Sequence, residues 1–141
     1  MQLGGCYFKK ELLPAQPYRI FNTFLGDPLR AAQLAVIAEV IERDHLLENT
    51  QITGQFLLEG LRELQERFSG VVTQARGVGT FCAFDLPNSN MQNQMVVRAR
   101  QLGLEIGGSG TGSIRFRPAL CLRPRHVVEA ISILAEVCRQ L

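Results

Sequence analysis

The chain has 141 residues, 46% of them hydrophobic and 20% charged, which suits one soluble domain with a core of its own. Fifteen basic against thirteen acidic side chains leave a formal charge of +2, and no run of Lys or Arg marks a nucleic-acid surface. No apolar run is long enough to span a membrane, and the opening MQLGGCYFKK lacks the basic-then-apolar order of a signal peptide.

Residues 1–26 read as irregular or extended, because Pro14 and Pro17 interrupt any long helix there. Asp27-Pro28 is a strong helix start: the carboxylate caps free backbone N–H groups and proline tolerates the first helical position. The helix that follows carries Leu34, Ile37, Ala38 and Ile41 on one face. A second helix is expected after Glu48-Asn49, with Ile52, Phe56, Leu57, Leu61, Leu64 and Phe68 in one stripe and Gly70 at its end. Both stripes are packing surfaces on this reading.

The segment VVTQARGVGTFCAFDLP is rich in β-branched and aromatic residues and reads as one strand, or as two short strands bent at Gly77 and Gly79. Asn88 or Ser89 caps a third helix whose inward residues are Met91, Met95, Val96, Ala99 and Leu102, with Gly103 ending it. A short strand over 104–106 leads into GGSGTG and then IRFRP, where Ile114 and Phe116 share one face and Arg115 and Arg117 the other. Pro124 opens a last helix with Val127, Val128, Ile131, Leu134, Cys138 and Leu141 inward. Strands and helices alternating over short connections make the chain α+β or α/β.

Few of these features carry chemistry by themselves. GGSGTG does not fit G-x-G-x-x-G and no Lys-Ser or Lys-Thr follows it, so it is neither a dinucleotide loop nor a P-loop but a mobile or close-packed turn between strands. The cysteines at 6, 82, 121 and 138 are scattered and only two histidines occur, so no metal site is expected. Cys82 and Cys138 read as small core residues, and a reducing compartment follows. A helix N-terminus suits an anion, so a phosphate near Thr23 is one reading of the NTFLGDP stretch, and an ordinary cap is the other. Arg115 offers a planar fork for a carboxylate from a strand that fixes its direction, while a surface or salt-bridged arginine is the plain alternative. Arg117, on the same face, competes for that role.

Three separated blocks, PYRIFNTFLGDP, ARGVGTFCAFD and LGLEIGGSGTGSIRFRPAL, resemble the class-III pyridoxal-phosphate aminotransferases in order and spacing, and look most like the 4-aminobutyrate branch. The resemblance implies the C-terminal small domain of a fold-type-I transferase. Residues 27–141 would form the inter-domain helix and a short, mostly antiparallel sheet packed by helices. Residues 1–26 would be a lead-in from the large domain. It also implies roles: Thr23 reaches the phosphate of pyridoxal 5'-phosphate held by the neighbouring subunit, Arg115 binds a substrate carboxylate, and Arg117 is structural.

In this family the Schiff-base lysine lies shortly before a Gly-Gly pair. Aligned on Gly4-Gly5, its position falls immediately before Met1, and Lys9 and Lys10 follow the glycines. The expectation is that no catalytic lysine lies in these residues and that they do not transaminate alone, since that chemistry needs the amine to hold the cofactor and move a proton. The implied partners are a second subunit, as a homodimer or with a full-length chain, and small amino and 2-oxo acids, with no nucleic acid and no membrane. Animal relatives are mitochondrial and some microbial ones cytosolic, which makes the mitochondrial matrix the expected compartment and the cytoplasm the alternative.

Overall fold

The computed structural model describes residues 4–6 and 8–141. The chain divides into two compact units, one ending at Asp44 and one running from His45 to Leu141.

The first unit holds a short 3-10 turn at Lys10–Leu12 and helix α1, Pro28–Arg43. Asp27 caps α1 as expected: its Oδ1 accepts from the Leu29 N–H at 3.0 Å, and Pro28 sits at the start of the helix. The expected apolar face finds no cover, however. No residue of α1 is buried, and Leu29, Leu34, Val36 and Ile37 are exposed. Periodicity reports which side of a helix is apolar and says nothing of what lies against it.

The second unit is an α+β domain. Helix α2 (Leu46–Arg67) precedes the hairpin β1 (Thr73–Val78) and β2 (Phe81–Asp85). Helix α3 (Ser89–Gln101), strands β3 (Gly107–Ser109) and β4 (Ser113–Phe116), and helix α4 (Pro124–Cys138) follow. The four strands are antiparallel in the order β1-β2-β4-β3. Cys82 and Phe84 of β2 and Ile114 and Phe116 of β4 point into a core completed by Leu57, Leu61 and Leu64 of α2, Met95 and Ala99 of α3, and Val127, Leu134 and Cys138 of α4. Each of the Leu, Ile, Val, Phe and Met side chains among them contributes about 1.5–3 kcal/mol on burial. The alternation seen in IRFR is real: Ile114 is fully buried and Arg115 faces the other way.

Several boundaries differ from the sequence expectation. Helix α2 starts at Leu46 rather than after Asn49, because the chain is broken at His45, which takes a left-handed conformation with φ 50°. Asn49 serves another purpose inside the helix: its side-chain amide donates to Leu120 O at 2.7 Å and Leu122 O at 2.9 Å. The buried stripe of α2 runs through Thr53 and Gly54, and Ile52 and Phe56 lie outside it, exposed. Gly54 faces the hairpin turn, where a Cβ would run into the backbone of Gly79, itself at φ 54°. Alanine-free close packing at Gly54 thus selects the face that apolar periodicity did not mark. Leu102 and Val128, expected inward, are exposed.

The expected strand over 104–106 is instead at Gly107–Ser109. Half of GGSGTG is therefore strand, and Gly110, at φ 59°, starts the turn into β4. Gln92 explains the arrangement. From α3 its Nε2 donates to Ser109 O at 3.1 Å and Ser113 O at 2.7 Å, and a Cβ on Gly108 would meet that side chain. The glycine run is a close-packed turn clamped from below.

Candidate carboxylate and phosphate sites

Helices cover one face of the sheet; on the other, β4 places Arg115 between small neighbours. Ala83 of β2 and Gly107 of β3 stand directly opposite it in the two ladders. Opposed residues share a face, so a methyl group and a hydrogen leave space on both sides of the Arg115 stem, and a Cβ on Gly107 would meet nothing within 4 Å. The side chain is half-buried, and among the described residues its guanidinium makes no hydrogen bond or ion pair. Arg117 is equally unengaged and more exposed. Both border a cavity of about 610 Å³ whose lining also includes Glu105, Gly107, His126 and Glu129.

Two nearby carboxylates are already taken by other arginines. Glu105 receives Arg100 Nε at 2.7 Å and Nη2 at 2.6 Å, a bidentate pair that holds its carboxyl below the ordinary value. Asp85 receives Arg76 Nη2 at 3.0 Å and the Ser113 hydroxyl at 2.5 Å. The Arg76 guanidinium, helped by Ser113, holds the Asp85 carboxyl below its ordinary value against the opposing effect of partial burial. These partners escaped the sequence reading, because strand register alone brings residues 76, 85 and 113 together.

Thr23 lies in the first unit, on a loop organised by local bonds. Asn22 Oδ1 accepts from the Phe24 N–H at 2.8 Å, Asn22 O from the Leu25 N–H at 3.0 Å, and Phe24 O from the Asp27 N–H at 3.3 Å. The Arg30 guanidinium lies 4.6 Å from the centre of the Phe24 ring. The turn presents Thr23 outward: it is exposed and its hydroxyl bonds to no described residue.

The remaining titratable groups do not form a reactive centre. Burial pushes the Cys138 thiol up to about 11, and Cys82 shifts the same way, so both are inert core residues. Among the described residues no three metal-ligating side chains gather, and no helix is long and apolar enough to cross a membrane. The two lysines of the chain, Lys9 and Lys10, are both exposed, and Lys9 lies 3.8 Å from Glu11. A pyridoxal phosphate site needs an amine, a cup of phosphate donors and an acid at the ring nitrogen. The described residues offer one outward hydroxyl at Thr23, and so do not by themselves make such a site.

The Aminotransferase class-III family profile matches residues 1–138. This chain belongs to the class-III aminotransferases. It is 42% identical over 137 residues to the mitochondrial 4-aminobutyrate aminotransferase of Homo sapiens, which covers 97% of this chain and 27% of that protein. The 4-aminobutyrate aminotransferase of Dictyostelium discoideum is 39% identical over 141 residues, covering 100% of this chain and 28% of the relative. Among solved structures, lysine aminotransferase from M. tuberculosis superposes with a TM-score of 0.80 at 30% identity, over 86% of this chain and 28% of that one. The chain thus spans little more than a quarter of the relatives it matches. The chain has the fold of the matching part of these fold-type-I class-III aminotransferases.

Proposed function

We propose that these residues are the C-terminal part of a 4-aminobutyrate transaminase, a pyridoxal-phosphate enzyme moving the amino group of 4-aminobutyrate to 2-oxoglutarate. The observation that carries the reading is Arg115: a strand-held guanidinium, unpaired among the described residues, flanked by Ala83 and Gly107. Its fork accepts a carboxylate through two parallel hydrogen bonds and so orients the substrate for chemistry performed elsewhere. Thr23 would donate its hydroxyl to the cofactor phosphate of a neighbouring subunit in a homodimer, with residues 1–26 as the lead-in from the large domain. Animal relatives named as mitochondrial support the mitochondrial matrix, with the cytoplasm as the alternative. Another ω-amino acid in place of 4-aminobutyrate is the competing substrate assignment, supported by the likeness to lysine aminotransferase.

With Lys9 and Lys10 as its only lysines, both on the exposed lead-in, the 141-residue chain has no transaminase activity alone on this reading. The test supplies pyridoxal phosphate, 4-aminobutyrate and 2-oxoglutarate to the chain and follows glutamate. It then repeats the assay with the chain joined to the N-terminal part of the human relative. No turnover is expected from the first. The second should turn over, with Arg115→Ala raising the KM for 2-oxoglutarate about tenfold or more. Glutamate above a denatured control from the chain alone would overturn the proposal.

A second reading makes the chain a non-catalytic partner of a full-length subunit. The exposed Tyr18, Phe21, Phe24 and Leu25 and the uncovered α1 favour it, since apolar surface of this kind marks association. Light scattering after size exclusion tests this: a clean, stable monomer argues against an obligate partner.

A further inference from the structure

Asp85 is a carboxylate that the strand register puts within reach of Arg115. In the β2–β4 ladder Ala83 stands opposite Arg115 and Asp85 opposite Ser113, so Asp85 is the diagonal neighbour of Arg115 on the sheet face away from the helices. Diagonal positions lie about 7–8 Å apart, within reach of an arginine side chain. An unengaged carboxylate there would take the Arg115 fork in a bidentate pair, and the site would be filled by its own neighbour.

In the structure Asp85 has other partners. Arg76 stands opposite Ala83 on its other side, so two arginines flank one alanine and compete for one carboxylate. Arg76 has the advantage. Its Nη1 donates to Gln74 O at 2.7 Å, which leaves Nη2 to reach Asp85 Oδ1 at 3.0 Å. The bulge that makes this possible is local: Gln74 takes φ 55°, and the β1–β2 register shifts between Thr73 and Arg76. The Ser113 hydroxyl donates to the same Oδ1 at 2.5 Å, so two donors hold that oxygen.

We propose that Arg76 is a positioning residue for Arg115: by engaging Asp85, with Ser113, it keeps the Arg115 guanidinium open to a substrate carboxylate. The proposal rests on the carboxylate reading of Arg115 given above. It distinguishes Arg76 from an ordinary surface ion pair, which would affect only folding stability.

The test is a double-mutant cycle on the 141-residue chain, with 2-oxoglutarate as the probe and NMR as the readout. Arg76→Ala should weaken binding about fivefold, and the Arg115 Nε–H signal should become slowly exchanging as Asp85 captures it. Asp85→Asn alone should change binding by less than about twofold. The pair Arg76→Ala with Asp85→Asn should return both binding and the Nε–H signal to the original. Simple loss of a positive charge predicts something else: the two single changes act in opposite directions and add. Additive effects with an unchanged Arg115 Nε–H signal, in a chain whose binding still depends on Arg115, overturn this proposal alone. Binding that does not depend on Arg115 overturns the carboxylate reading and this proposal with it.

Discussion

The two units use the same amino-acid alphabet to different ends. The second closes a core: Leu57, Leu61, Phe84, Met95, Ile114 and Leu134 are each at most 1% exposed. The first has comparable apolar content along 18–41, yet α1 buries nothing, and Tyr18, Phe21 and Phe24 are more than half exposed. Since burial of apolar area is the main favourable term in folding, the second unit carries the stability of the chain. The first holds its shape through local devices, namely the Asn22 turn, the Asp27 cap and the Arg30–Phe24 contact. Its apolar surface is left exposed in the chain as described.

Substitutions that act on one unit at a time sharpen that contrast. Gly54→Ala drives a methyl group into the Gly79 backbone and should cost the second unit about 3 kcal/mol, read as a lower midpoint in urea unfolding. Asn88→Ala removes the acceptor for the Met91 N–H at the start of α3. It should lower the same midpoint by an amount equivalent to about 1 kcal/mol. Asp27→Ala removes the equivalent acceptor from α1, yet should leave that midpoint within error and lower only the helical circular-dichroism signal before the transition. An equal loss of stability from the Asn88 and Asp27 changes would show that the two units unfold together.

How much of this was legible in the sequence depends on the range of the interaction. Local chemistry was: the Asp27 and Asn88 caps, Pro124 opening α4, and the alternation of Ile114 and Phe116 with Arg115 all follow from neighbours in the chain. Boundaries set by a tertiary contact were not. Asn49 looked like a helix start because asparagine caps helices, but it holds the Leu120–Leu122 segment from inside α2. Thr53 and Gly54 are buried because Gly79 comes close, a fact that no hydrophobic period encodes. The same limit applies to the site. Thr23 and Arg115 were singled out as candidates by local chemistry, with the plain alternatives left open, and the resemblance of three sequence blocks to a family gave each a specific expected role. The Arg76–Asp85–Ser113 group depends on a bulge and on strand pairing across residues far apart, and became visible only in the fold.

The most direct test of the central claim, that the second unit presents Arg115 as a carboxylate clamp, is an NMR titration of the 141-residue chain with 2-oxoglutarate beside its Arg115→Ala variant. The account predicts saturable shifts centred on Ala83, Gly107 and Arg115, with a dissociation constant in the millimolar range, about −4 kcal/mol, and their loss in the variant. Shifts of the same size and place in both chains, or none in either, would contradict it.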